Sequence, residues 1–250
     1  MENENVTEIP LSQIRDFPDH PYQVKDDECM NDLVSSIKER GLIQPIIVRP
    51  IEDNLYEMVS GHRRKRAFEL AGLKSIPAKV VELTRDEAIL VMVDSNLQRE
   101  VILPSEKAKA YKMRLDAMKR QGQRSDLTSN PVGGKLKGME SAGIIGEQSG
   151  DSQTQVRRYI RLTELIPEML DLVDEGKVAM RPAVEISYLP KESQEQLVKA
   201  MEFSDATPSH YQAIRMKNCY RDGKLTEEVI DTIMDEAKPN QKENHRLEIQ

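Results

Sequence analysis

The sequence predicts an α+β protein: a small mixed α/β domain over residues 1–103, followed by an all-α region that contains a helix-turn-helix. Three observations carry that expectation. Strand and helix signals alternate through the first hundred residues, strand signals disappear beyond Leu103, and the later helical patterns are separated from one another by Pro or Gly. At 250 residues the chain is long enough for two modest domains. With 4% aromatic residues and no tryptophan, its cores must be aliphatic and rich in methionine.

Residues 6–9 predict a short strand leading into the turn-like Pro10-Leu11-Ser12. Met30, Leu33, Val34 and Ile37 recur at i, i+3, i+4 and i+7 and mark one face of a helix that Gly41 stops. Ile46-Ile47-Val48 reads as a strand between Pro45 and Pro50, and residues 55–60 as the next. A helix over 62–71 ends at Gly72, and 76–83 is a further strand. Thr84-Arg85-Asp86-Glu87 has the capping-box pattern and opens a helix to about Asn96.

The second region, 104–224, begins with a helix over 105–121 that carries many cations. Residues 122–138, rich in Gly, Ser, Thr, Asn and Pro, predict a mobile loop. A short helix over 139–147, the turn Gln148-Ser149-Gly150 and a helix capped by Ser152-Gln153-Thr154-Gln155 and running to about Leu165 make the expected helix-turn-helix. Helices follow over 167–175, 183–187, 191–203, 208–222 and 226–237, the last belonging to a C-terminal segment, 225–250, with a frayed end.

Net charge is -7, yet it is unevenly placed. Residues 105–166 hold 12 Lys/Arg against 7 Asp/Glu, whereas 1–104 hold 13 against 19 and 167–250 hold 11 against 17. A basic middle between acidic flanks suits a protein that offers one surface to a polyanion. Cys29 and Cys219 lie far apart, and His20, His62, His210 and His245 lack metal-ligand spacing. Two thiols, an acidic and polar start, and no apolar run near the ~18 residues needed to span a membrane predict a cytoplasmic protein.

Three sites stand out. In the first, Ser60-Gly61-His62-Arg63-Arg64-Lys65-Arg66 places a glycine at a strand-to-helix junction and crowds cations into the first turns of the helix. Glycine lets a phosphate approach the backbone, and the free N–H groups of a helix start favour an anion. A solvated basic face and a DNA-backbone patch remain open as alternatives, and no Gly-x-x-x-x-Gly-Lys is present. In the second, Asp94, Asn96, Gln98 and Arg99 end the third helix. They read either as oxygen-bearing groups for a hydrated Mg²⁺ beside a triphosphate or as an ordinary polar helix end. The third is the helix opened by Ser152. Val156, Tyr159, Ile160 and Thr163 share one face, so Gln153, Thr154, Gln155, Arg157, Arg158 and Arg161 fall to the polar side. Gln and Arg in such positions reach base edges and phosphates in a major groove; the alternative is the solvated face of a bundle helix.

The motifs together resemble one family. Gly61-His62-Arg63-Arg64-Lys65-Arg66-Ala67 is similar to the Gly-Glu-Arg-Arg-x-Arg-Ala box of the ParB family of chromosome- and plasmid-partition proteins. Residues 41–50, Gly-Leu-Ile-Gln-Pro-Ile-Ile-Val-Arg-Pro, resemble the segment that precedes that box. Asn96-Leu97-Gln98-Arg99-Glu100 resembles the family's Glu-Asn-x-Gln-Arg box, and residues 161–167 its Arg-Leu-Leu-x-Leu-Pro. The resemblance covers about 6–189 and does not extend to the family's C-terminal dimerisation domain. It implies a CTP-dependent DNA clamp: a homodimer that binds CTP and Mg²⁺, reads a palindromic, centromere-like duplex, slides from it, and works with a ParA-type ATPase.

By position the resemblance implies Gln44 and Pro45 near the base, and Gly61, Arg63, Arg64 and Arg66 on the phosphates with His62 in the same box. It implies Asn96 on the metal with Asp94 beside it, and Arg99 nearby. Two departures bear on turnover: Ser95 stands where the family has an acid, and His62 replaces another carboxylate, so CTP hydrolysis is expected to be weak at most. The stretch 122–138 reads as an insertion pointing to a plasmid or mobile-element branch. The rival readings are a repressor that binds an operator without nucleotide, and an enzyme on the related sulfiredoxin-like fold. The latter is disfavoured because sulfiredoxins carry a Gly-Cys-His-Arg box, whereas His62 follows Gly61 directly here.

Overall fold

The structure, a computed structural model, describes residues 6–52, 54–97, 102–126 and 134–236. Contacts divide the chain into two compact units, Met1–Ile102 with Ala110–Asp151, and Leu103–Lys109 with Ser152–Gln250. The chain passes between the units at 102/103, 109/110 and 151/152, so 110–151 belong with the first unit. The reason lies in α4 (Pro104–Asp126), one continuous helix of 23 residues and about 35 Å. Its Ala110 and Ala117 are fully buried in a core of the first unit, whereas Ala108 is buried in that of the second.

In the first unit, β1 (Val6–Pro10), β2 (Ile14–Arg15), β3 (Ile46–Pro50), β4 (Tyr56–Ser60) and β5 (Ser75–Val80) form one sheet in the order β1-β5-β3-β4-β2. The pairs β1/β5 and β3/β4 are antiparallel, and β3/β5 and β2/β4 parallel. The two-residue β2 was not expected; it is too short for any alternation to register, and pairing with β4 alone defines it. The last strand stops at Val80, three residues before the predicted end.

Strand alternation builds two cores. Met58 of β4 joins Ile9, Ile46, Val48, Ile76 and Ala78 on one face, covered by Met30 and Ile37 of α1 (Glu28–Arg40) and by Ala67 and Phe68 of α2 (His62–Leu70). Its neighbour Val59 points the other way and meets Ala88, Ile89, Met92 and Val93 of α3 (Arg85–Leu97). Each fully buried Ile or Met contributes about 1.5–3 kcal/mol. Side chains cap both helix starts, of which the Thr84 box was predicted. Asp27 caps α1 by accepting from the Met30 N–H at 2.9 Å. Thr84 and Glu87 form the reciprocal box, with Thr84 N donating to Glu87 Oε2 at 2.8 Å and Glu87 N to Thr84 Oγ1 at 3.3 Å. The Thr84 N–H holds the Glu87 carboxyl below its usual range.

The mobile loop expected over 122–138 is corrected at both ends: α4 continues to Asp126, and α5 (Gly134–Ser149) begins well before 139. Residues 127–133 lie outside the described residues. A single Gly costs a helix about 1 kcal/mol relative to Ala. Burial of neighbouring apolar residues, such as Ala142 and Ile145 in α5, outweighs that local preference. Gly150, at φ +73°, ends α5 and lets the Asp151 N–H reach the Gly146 carbonyl at 3.1 Å, a glycine-terminated helix end.

The second unit is helical: α6 (Gln153–Leu162), α7 (Pro167–Asp174), α8 (Met180–Ile186), α9 (Lys191–Ser204), α10 (His210–Arg221) and α11 (Glu227–Asp235) enclose one aliphatic core. Leu162, Met169, Ile186, Leu197, Met216 and Ile230 are fully buried in it. α11, read from the sequence as a separate C-terminal segment, packs into this core through Ile230, Ile233 and Met234. A buried glutamine joins three connections. Gln194 Oε1 accepts from Ile166 N at 2.9 Å, and its Nε2 donates to the Leu189 carbonyl at 3.0 Å and the Glu164 carbonyl at 3.2 Å.

Candidate ligand cavity and recognition helix

Where β4 meets α2, Gly61 adopts φ +108°. A Cβ there would stand 2.7 Å from Ile46 Cγ2 of β3, so both the backbone conformation and the space require glycine. This turn opens onto a cavity of about 590 Å³. Leu33 and Ile37 of α1 and Leu42 and Ile43 of the following loop give it an apolar side. Gln44, Gly61, His62, Arg63, Arg64, Ser95 and Asn96 supply polar groups. The first two sites picked out in the sequence, at 61–64 and at 96, thus share one cavity.

The cations of the box are not equivalent. Arg64 is turned onto the 44–45 segment, its Nη1 donating to the Gln44 and Pro45 carbonyls at 2.8 Å each. It fixes the loop that carries Gln44, and burial pushes its guanidinium down from the ordinary value. Arg63 faces the cavity and lies 3.5 Å from Asp27. Lys65 is buried and paired with Asp16 at 2.7 Å. Arg66 faces a second, smaller cavity of about 230 Å³ and holds Asp26 through two hydrogen bonds of 2.7 and 3.1 Å. Those bonds lower the Asp26 carboxyl below its usual range and raise the Arg66 guanidinium. His62 stacks on His20 with ring centroids 3.6 Å apart. Sequence spacing put all four cations on one short helix; helical rotation sends them to different partners.

At the end of α3, Asn96 is buried, and its Nδ2 donates to the Met92 carbonyl at 2.8 Å and to Ser95 Oγ at 3.3 Å. Its Oδ1 is therefore the atom able to meet a cation. Asp94 is instead paired with the buried Arg114 of α4. The cavity offers an amide oxygen and the Ser95 hydroxyl, a set that fits a magnesium ion brought in on phosphates and largely hydrated, not one caged by protein. No group of three His, Cys, Asp or Glu suited to a metal occurs among the described residues. Arg99 and Gln98 lie outside the described residues.

In the second unit, Ser152 caps α6 by accepting from Gln155 N at 3.2 Å. The helix ends three residues earlier than expected, at Leu162, where the chain tightens into i+3 hydrogen bonds before Pro167 opens α7. Val156 and Leu162 are buried, whereas Thr154, Arg157 and Arg158 are exposed and Gln153 and Gln155 half-buried. Arg161 behaves differently. Its Nε donates to Ser187 Oγ at 2.9 Å, another of its nitrogens to the Ser187 carbonyl, and its guanidinium lies 4.1 Å over the Tyr188 ring. It locks α6 to the end of α8.

Sequence reasoning did not find Leu33, Ile37, Leu42 and Ile43 as cavity residues. The first two were read as part of one face of a helix, and the signal for the others was an apolar pair in a loop directly after a helix-stopping glycine. It also missed Asp16, Asp26 and Asp27 as partners of the α2 cations; no local pattern links residues 36 to 49 positions apart.

Fold and site define an α+β protein whose first unit holds a strand–glycine–helix turn lined by cations and whose second carries a capped, arginine-bearing helix. A sequence profile of the ParB N-terminal domain matches residues 1–97. The chromosome-partitioning protein Spo0J of Thermus thermophilus is 35% identical over 173 residues, 69% of this chain and 56% of that protein. The nucleoid occlusion protein of Listeria innocua is 31% identical over 201 residues, 80% of this chain and 62% of that protein. The chain thus spans about three-fifths of the length of these relatives. A crystal structure of C-terminally truncated ParB from Caulobacter crescentus, complexed with CTP-γ-S, is 27% identical and covers 78% of this chain and 99% of that one, with a TM-score of 0.36. The chain belongs to the ParB family. No helix among the described residues is long and apolar enough to cross a membrane.

Proposed function

We propose that this protein is a DNA-binding partition protein that reads a palindromic, centromere-like duplex through α6 and holds CTP in the cavity of its first unit. One observation carries the nucleotide half: the sterically obligatory Gly61 turn, Arg63, Gln44 and Asn96 line a single cavity of about 590 Å³. A triphosphate lies against the N-terminus of α2, where free backbone N–H groups and Arg63 meet its charge. The base lies along the apolar side formed by Leu33, Ile37, Leu42 and Ile43, with Gln44 beside it. Asn96 Oδ1 and Ser95 Oγ orient a hydrated Mg²⁺ carried by the phosphates.

In this reading Arg64 and Arg66 act on the protein before they act on the ligand. Arg64 holds the Gln44 loop in place, and Arg66 fastens the segment before α1. In the second unit Gln153, Thr154, Gln155, Arg157 and Arg158 meet the duplex, while Arg161 sets the angle of α6. Two copies close around the DNA when CTP is bound and then slide from the site, and a ParA-type ATPase is the partner the family resemblance implies. With Ser95 in place of an acid, hydrolysis of CTP is slow. Isothermal titration with CTP, UTP, ATP and GTP in the presence of Mg²⁺ tests the nucleotide half. Selective binding of CTP supports it, and absence of binding with and without duplex DNA refutes it.

A further inference from the structure

The segment before α1 wraps the cationic end of α2 with carboxylates. Asp16 pairs with Lys65 at 2.7 Å, Asp26 with Arg66 at 2.7 Å, and Asp27 with Arg63 at 3.5 Å. His20 of the same segment stacks on His62, the first residue of α2. These anions sit where a helix N-terminus crowded with cations attracts negative charge. The pairs differ in what surrounds them. Arg66 and Lys65 line the smaller cavity, away from Gly61, whereas Arg63 lines the large cavity beside Gly61 and Asn96. Asp27 is the carboxylate that neutralises a cation of the proposed phosphate site. The same Oδ1 accepts from Met30 N at 2.9 Å and so starts α1.

From this we infer that Asp27 is an internal counter-anion of the ligand cavity, resting on the phosphate site proposed above: it occupies Arg63 in the ligand-free protein and is displaced when a polyphosphate enters. Asp27 thereby sets the affinity of the site and links its occupation to the first turn of α1, whose residues Leu33 and Ile37 line the same cavity. The pair is exposed, 35% at Arg63 and 45% at Asp27, so the competition is modest and a strong ligand overcomes it.

The test uses Asp27→Asn, because asparagine caps a helix as well as aspartate while removing the charge. Asp26→Asn is the control, removing the neighbouring charge at a cation that faces the other cavity. CTP and, separately, inorganic tripolyphosphate are titrated calorimetrically into the protein and both variants, with thermal midpoints recorded to show that the α1 cap survives. The expected result is about two- to fivefold tighter binding by Asp27→Asn and little change for Asp26→Asn. Unchanged or weaker binding by Asp27→Asn, or equal tightening by both, overturns the inference. If CTP fails to bind any variant while tripolyphosphate binds and tightens as stated, the cytidine reading falls and the role of Asp27 stands. If neither ligand binds, both fall.

Discussion

Replacing Gly61 with alanine tests the element on which the cavity depends. The added Cβ would stand 2.7 Å from Ile46 Cγ2, 3.2 Å from Ile46 Cβ and 3.4 Å from Ile46 Cα, and the last two cannot swing away by rotamer change. Ile46 is itself fully buried in the sheet core. Overpacking of that kind costs about 1–3 kcal/mol. A side chain at φ +108° adds about 1–2 kcal/mol of backbone strain. The expected destabilisation is therefore about 2–5 kcal/mol, which for a unit of this size lowers the thermal midpoint by about 6–20 °C. Differential scanning calorimetry reads the shift, and an Ile46→Ala background separates its two parts. Removing Cγ2 relieves part of the clash, so the double variant should lose less than the two single losses summed. A drop under about 3 °C with full helical signal, or strict additivity with Ile46→Ala, would refute the packing argument.

Other outcomes follow from the same geometry. Gln194→Leu leaves the Ile166 N–H and two carbonyls without their buried partner, and should cost about 2–4 kcal/mol in urea unfolding; a cost under 1 kcal/mol contradicts the bonding described. Gln153→Ala and Arg157→Ala should each lose about 1–3 kcal/mol of discrimination between cognate and scrambled duplexes in competition binding, whereas retention of full preference by both removes α6 as the reading element. Asp26 has a carboxyl lowered by Arg66, so its stabilising pair is present at neutral pH and lost as pH falls through the folded-state value. Acid unfolding followed by circular dichroism should accordingly be shallower for Asp26→Asn than for the unsubstituted chain, and identical pH profiles would count against the pairing.

Much of the fold is legible because local signals and burial agree. The stripe Met30, Leu33, Val34, Ile37 ended by Gly41 became α1, and Thr84 with Glu87 formed the box their spacing predicts. Where local and tertiary preferences disagree, local reading fails. The Gly- and Ser-rich flanks of 127–133 are helical, and α4 runs on past Gln121 because residues such as Ala117 are buried along it. For the cavity, the Gly61 turn and Asn96 were both recognisable, but as separate sites 35 positions apart.

The sequence by itself determined the α+β class, the family, the glycine turn, the helix caps and the residue types able to meet a polyanion, since each depends on neighbours within a few positions. The tertiary structure alone decided which cation does what. Arg63, Arg64, Lys65 and Arg66 are consecutive, yet about 100° of helical rotation per residue aims them at Asp27, two backbone carbonyls, Asp16 and Asp26 in turn. Arg161, of the same chemical type as Arg157, is drawn onto Ser187 and Tyr188 by a helix that arrives from 26 residues along the chain. Charge is written in the sequence, but its partner is a matter of distance, and only the folded chain sets distances.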